Sequence, residues 1–299
     1  MYRGWDGGNP LGTGSLDTWG TANGATIRMG HEFGDNAQWS YFANGTNFAN
    51  WNTWVGAGGN RSFGYSCPLI AATNPQDYAG LNAGTYDAHF TSLGAAFQAQ
   101  PNLRNATIRL GWEFNGNSFP WQLPTNATNA HLDAYKSGFN RAAGLIRAGC
   151  STVKFEWCPN AHMDNANRTF ADMYPGNTYV DYIGVAIYDY YWPGGTPTQS
   201  QREAWVRDEP NGLADHWALA QAQSKPVAYT EWGLWPSTNL SGGGDRPAFI
   251  TFFANWMRDH QAAYSQYNNV NATTDHRLDL YPNAKATYLS RFATGVLAG

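Results

Sequence analysis

The sequence predicts an α/β chain folded as a single (β/α)8 TIM barrel, with residues 1–299 forming one domain. Three observations lead there. Short apolar runs alternate with amphipathic stretches along the whole chain, the pattern of βα units. The runs number eight, the strand count of that barrel. No linker divides the chain, because the Gly/Ser patch at Asn239–Asp245 is only of loop length.

Taken in order, the first two strands are placed at Tyr2–Asp6 and Thr26–His31, the least strongly patterned of the set. Ser62–Leu69 and Thr107–Glu113 follow, then Val153–Cys158, Tyr182–Tyr188, Val227–Glu231 and Ala263–Tyr267. Helices are expected at "YDAHFTSLGAAFQAQ", "HLDAYKSGFNRAAGLIRAG" and "RPAFITFFANWMRDH". Pro101 and Gly149 supply stop signals for the first two.

Composition narrows the function. The 42% apolar residues can fill a core, the net charge is only −4, and Lys and Arg form no runs. That balance argues against nucleic acid or an acidic membrane as partner. The 14 Trp and 17 Tyr, mixed with Asn and Gly, suit a surface that stacks on sugar rings and hydrogen-bonds hydroxyls, as well as a large core. Cys67, Cys150 and Cys158 have no metal-ligand spacing, and Cys150 and Cys158 sit at opposite ends of one strand, too far apart to bridge. No apolar run reaches membrane-span length, and "MYRGWDGGNP" lacks the basic-then-apolar order of an export signal. No phosphate cradle or metal cluster is present in the pattern, so no cofactor is implied.

Barrel chemistry sits at the C-terminal ends of strands. Glu113 closes the fourth strand and Glu231, in "KPVAYTEWG", the seventh. Strand alternation places Arg109, Gly111 and Glu113 on one face, and Val227, Tyr229 and Glu231 on another, both turned to the same mouth. Two carboxylates across one cleft are what glycoside hydrolysis requires. Of the remaining glutamates, Glu203 and Glu209 lie in a polar helix and turn. Glu156 falls mid-strand and reads as a buried carboxylate paired with Lys154 or Arg109. Glu32 is the rival, because "ATIRMGHEFGDNAQW" echoes "ATIRLGWEFNGNSFPW". In the echo, however, His31 faces inward and Glu32 outward, which assigns Glu32 to structure and His31 to substrate binding. Trp112, Trp121, Trp192, Trp232 and Tyr267 lie at strand ends and are candidate sugar platforms, while Asn160 and His162 are candidate hydroxyl ligands.

These residues resemble glycoside hydrolase family 26, retaining glycosidases that include β-mannanases. The family's acid/base segment has an Arg four residues before the Glu, then Asn-Gly and an aromatic, which Arg109, Glu113, Asn115, Gly116 and Trp121 match. Its sixth strand has a Gly with a Tyr four residues later, as at Gly184 and Tyr188, and the seventh-strand match is Glu231 before Trp232 and Gly233. The resemblance implies Glu113 as general acid/base, Glu231 as nucleophile, and Tyr188 as the residue that orients Glu231. The chain departs from the family where Trp112 replaces a His, Ala186 an Asp, and Tyr267 a Trp platform. The expectation is a monomeric, extracellular or secreted retaining endo-β-glycosidase, or a domain of a larger protein. Its expected substrate is β-mannan, with β-1,3-xylan or β-glucan next. The alternative is a catalytically silent glycan-binding barrel of a cell-surface or phage adhesion apparatus.

Overall fold

The computed structural model describes residues 2–4 (backbone only), 16–42, 47–162, 166–271 and 274–295. Eight parallel strands form: β1 (Tyr2–Gly4), β2 (Met29–Phe33), β3 (Ser62–Cys67), β4 (Thr107–Leu110), β5 (Lys154–Trp157), β6 (Val180–Asp189), β7 (Val227–Leu234) and β8 (Tyr264–Asn269). Their order in the sheet is β1-β8-β7-β6-β5-β4-β3-β2. The outer members β1 and β2 lie against each other, so the sheet curls into a nearly closed barrel. All eight expected strands are present; Trp5 and Asp6 of the first lie outside the described residues.

Helices wrap the sheet: α1 (Leu16–Ala22), α2 (Phe48–Gly56), α3 (Tyr78–Ala83), α4 (Asp87–Gln98), α5 (Asn129–Gly149), α6 (Phe170–Met173), α7 (Gln199–Asp208), α8 (Leu213–Gln223), α9 (Pro247–Asp259) and α10 (Pro282–Phe292). Side chains that Thr128, Thr169 and Thr198 present as N-caps start α5, α6 and α7. Aromatic strand residues that face outward pack on these helices. Phe63 meets Trp51, Trp157 meets Tyr135 and Phe170, and Trp232 lies among Phe253, Tyr288 and Phe292. Among the described residues, no helix is long and apolar enough to cross a membrane.

The interior is polar, and Glu156 is the buried carboxylate that the sequence reading expected. Glu156 is fully buried and accepts hydrogen bonds from the Thr230 hydroxyl and, at 2.8 Å, from Tyr264. Burial raises its pKa, with Arg109 and these two hydroxyls pulling the other way. Lys154 is not its partner. That side chain is half exposed at the bottom of the barrel and lies 3.8 Å from Asp181.

Strand β7 corrects the alternation argument. Tyr229 points outward, where its hydroxyl accepts from Trp256 of α9, and Thr230 points inward to Glu156. Simple alternation would then turn Glu231 outward. Instead, Tyr229 pairs with Ser265 but Trp232 with Tyr267, so β7 carries one extra residue over this stretch. The register with β6 shifts at the same place, between Gly184 and Ala186. A β-bulge of this kind re-aims side chains beyond it. Glu231 therefore faces the barrel mouth, and Trp232 returns to the helix side.

Candidate active site

Strand β4 ends at Leu110, three residues short of Glu113, so Glu113 reaches the mouth from a turn rather than from a strand. Gly111 and Glu113 both adopt left-handed backbone conformations, with φ of 55° and 53°. A non-glycine residue there is uncommon and must be held by its surroundings. Two hydrogen bonds hold it: Gly111 N–H donates to the Cys67 carbonyl and Glu113 N–H to the Cys158 carbonyl, at 2.8 and 2.9 Å. The turn is further braced by the Trp121 indole, which donates to the Trp112 carbonyl at 2.7 Å.

Asn115 and Asn160 then form a reciprocal pair. The Asn115 side chain accepts from Asn160 N–H and donates to its carbonyl, both at 2.8 Å. This fixes the Asn160 amide so that its Nδ2 donates to Glu113 Oε1 at 2.7 Å. Asn115 is fully buried, so it positions Asn160 rather than touching a ligand.

Glu231 has a different shell. Arg109 Nη1 lies 2.7 Å from one carboxylate oxygen, and the Tyr188 hydroxyl donates to the other at 2.8 Å. Asn268 Nδ2 donates to the Tyr188 oxygen at 2.6 Å and to Glu231 Oε1 at 3.3 Å. Arg109 is fully buried. Burial opposes its charge, but Glu231 foremost, then Cys158, Glu156 and Glu113, more than offset this and hold its pKa above the ordinary value. The rings of Phe33 and Trp112 lie 5.2 and 5.5 Å from the guanidinium carbon, in cation–π range.

Both glutamates open into one cavity of about 480 Å³ lined also by Phe33, Gly34, Asp35, Asn36, Trp112, Phe119, Asn268 and Val270. Such a size and mixed lining suit a small ligand or one or two rings of a longer one. Two carboxylates, one fixed by a cation and two hydrogen-bond donors and one by an amide, can divide nucleophile and acid duties.

No known family's sequence profile matches the chain. A sequence relative, Endoglucanase H of Acetivibrio thermocellus, is 27% identical over 264 residues, covering 83% of this chain and 27% of that protein's length. Among solved structures, Bacillus subtilis mannanase man26 superposes with a TM-score of 0.66 at 16% identity, over 98% of this chain and 84% of its own. A GH26 β-mannanase from Bacteroides ovatus gives 0.67 at 16% identity, over 96% and 87%. The chain has a glycoside hydrolase family 26-like barrel. In this barrel Glu113 follows the fourth strand and Glu231 lies within the seventh.

The other expected site residues divide sharply. Trp112 lines the cavity and Trp192 is 41% exposed, its ring stacked on Tyr190. Trp121, Trp232 and Tyr267 are fully buried, which removes them as sugar platforms: Trp121 backs Trp112 and Phe119, and the other two pack against α9 and α10. Arg109 and His31 lie beneath the cavity floor, not on it, and His31 bonds to Ser66 instead. His162 is buried against Trp205, 5.2 Å between rings. Glu32 points outward, where Asn47 and Trp51 donate to its two oxygens, in keeping with a structural role.

Sequence reasoning missed Asn268, Phe33, Phe119 and Ser66. The polar "YSQYNN" carries no alternation of its own; the contact of Tyr264 with Glu156 shows that Gln266 and Asn268 share its inward face.

Proposed function

We propose that the chain is a retaining endo-β-glycosidase that hydrolyses a neutral polysaccharide, β-mannan first and β-1,3-xylan or mixed-linkage β-glucan next. The observation that carries this is the opening of Glu113 and Glu231 into one cavity with unlike companions. Arg109, Tyr188 and Asn268 stabilise negative charge on Glu231 and aim it as the nucleophile. Glu113, held by a neutral amide, gives its proton to the leaving oxygen as Glu231 attacks the anomeric carbon and the glycosidic bond breaks. It then takes a proton from the water that displaces Glu231 from the glycosyl-enzyme.

The charge of the cavity supports a neutral sugar. Its described lining carries Asp35 and both glutamates but no Lys or Arg, so a uronate would meet repulsion without compensation. Trp192 offers the most exposed described indole, and we assign it as a stacking platform for a further sugar unit. A polysaccharide does not cross a cell membrane, which favours an extracellular place of action.

Reducing-end release from a panel of mannan, xylan, mixed-linkage glucan and polyuronates tests the reading. Cleavage confined to neutral β-glycans is expected. Binding of a glycan without any cleavage would favour the silent module instead.

A further inference from the structure

We propose that Ser66 is a positioning residue that acts through Arg109 on Glu231, with His31 setting the direction of its hydroxyl. This rests on the assignment of Glu231 as nucleophile. Arg109 Nε donates to Ser66 Oγ at 2.8 Å, and the same Oγ lies 2.7 Å from His31 Nε2. All three side chains are at least nine-tenths buried, beneath the cavity floor.

Proton accounting orders the chain. A guanidinium can only donate, so Ser66 Oγ accepts from Arg109. The Ser66 hydroxyl proton then needs its own acceptor, and His31 Nε2 is the one within reach. His31 is therefore the neutral tautomer with its proton on Nδ1. That nitrogen lies over Gly64, where a Cβ would come within 2.4 Å of it, so glycine at 64 makes room for the ring. The result is a directed series in which Ser66 donates to His31, Arg109 donates to Ser66, and Arg109 pairs with Glu231.

Apart from Glu231 and a long 3.9 Å contact to the Cys158 sulfur, both made through Nη1, the guanidinium meets the rings of Phe33 and Trp112, which impose little direction. Ser66 fixes the roll of the guanidinium, and with it the place where Nη1 holds the carboxylate. Misplacing a nucleophile costs turnover more than affinity, since a sugar need not touch any of these three side chains.

The test combines kinetics with ¹⁵N NMR of the full chain. Ser66→Ala should lower kcat about 10- to 100-fold with KM within about threefold, as for loss of a bond to a charged group. Ser66→Thr, which keeps the hydroxyl, should recover most of it. In wild type, the His31 ring should show an unprotonated Nε2 and a protonated Nδ1, and in Ser66→Ala that tautomer preference should weaken. An active wild type whose Ser66→Ala variant keeps kcat within twofold overturns the proposal. So does a protonated His31 Nε2 in wild type, a readout that stands even where Ser66→Ala fails to fold. A wild type that cleaves no glycan removes the glycosidase reading and this proposal together, a different result from either of those.

Discussion

Replacing Tyr188 by Phe removes one oxygen and leaves the ring. That oxygen donates to Glu231 Oε1 at 2.8 Å and accepts from Asn268 at 2.6 Å. A hydrogen bond to a charged group contributes about 1.5–3 kcal/mol, which corresponds to about 10- to 150-fold in rate. Asn268 decides where in that range the loss falls. Its amide already lies 3.3 Å from the same carboxylate oxygen, so once the phenol is gone it can move closer and take over part of the stabilisation. The expected loss in kcat for Tyr188→Phe is therefore near tenfold, with a similar loss for Asn268→Ala. The double variant should lose more than the product of the two, because neither residue can then replace the other. Steady-state kinetics on the best glycan of the panel gives all four corners of this cycle. Losses that multiply, or a Tyr188→Phe enzyme as fast as wild type, would refute the shared hold on Glu231.

Glu113→Ala should still accept a substrate with an activated leaving group. Azide should then restore turnover and give a glycosyl azide of the original configuration, whereas an inverted azide would remove Glu231 as nucleophile. Glu32→Gln should keep most of the activity in the same assay, because Glu32 faces α2; a loss equal to that of Glu113→Gln would reopen the echo segment. The buried His162 and His216 have pKa values lowered by burial from 6.5 to about 4, so they are neutral in the fold and take up protons on unfolding. Their contribution is full above about 6.5 and is lost as pH falls towards 4, at up to about 1.4 kcal/mol per pH unit for each. Glu156 and Asp189, raised by burial, act in the opposite sense: their contribution is full below ordinary carboxylate values and fades as pH rises. Urea unfolding of wild type and His162→Phe across this window should therefore show a shallower pH slope in the variant, and parallel curves would refute the assignment.

The barrel was legible because its evidence is periodic: eight apolar runs, each bounded by turns, survive errors of several residues at their ends. The pair Glu113 and Glu231 was legible from position, but the alternation used to aim them was wrong for both. Glu113 lies beyond the end of β4 in a left-handed turn, and Glu231 lies beyond a bulge. Neither departure has a local sequence mark, since both depend on which neighbouring strands hold the backbone. The aromatic platforms were over-read for a related reason. Trp232 and Tyr267 follow or end strands in sequence, yet alternate onto the helix side, where burial of a large ring stabilises the fold more directly than any ligand contact. Asn115 and Arg109 were placed in the right neighbourhood and given the wrong task, because sequence spacing does not distinguish a group that touches a ligand from one that holds its neighbour.

The extra residue in β7 acts as a phase change between two halves of one strand. Below it, Thr230 keeps time with the barrel interior and Glu156; above it, Glu231 keeps time with the mouth. The two halves can therefore be altered in different ways. Substitutions in the lower half change packing without turning Glu231, and the upper half can be rebuilt around a new ligand without disturbing the core. The arrangement has one sharp vulnerability. A β7 that kept both Thr230 and Glu231 but ran without the bulge would point Thr230 inward and, by alternation, turn the Glu231 carboxylate towards the helices. The bulge is thus what lets two neighbours in sequence, Thr230 and Glu231, both serve the inside of the barrel.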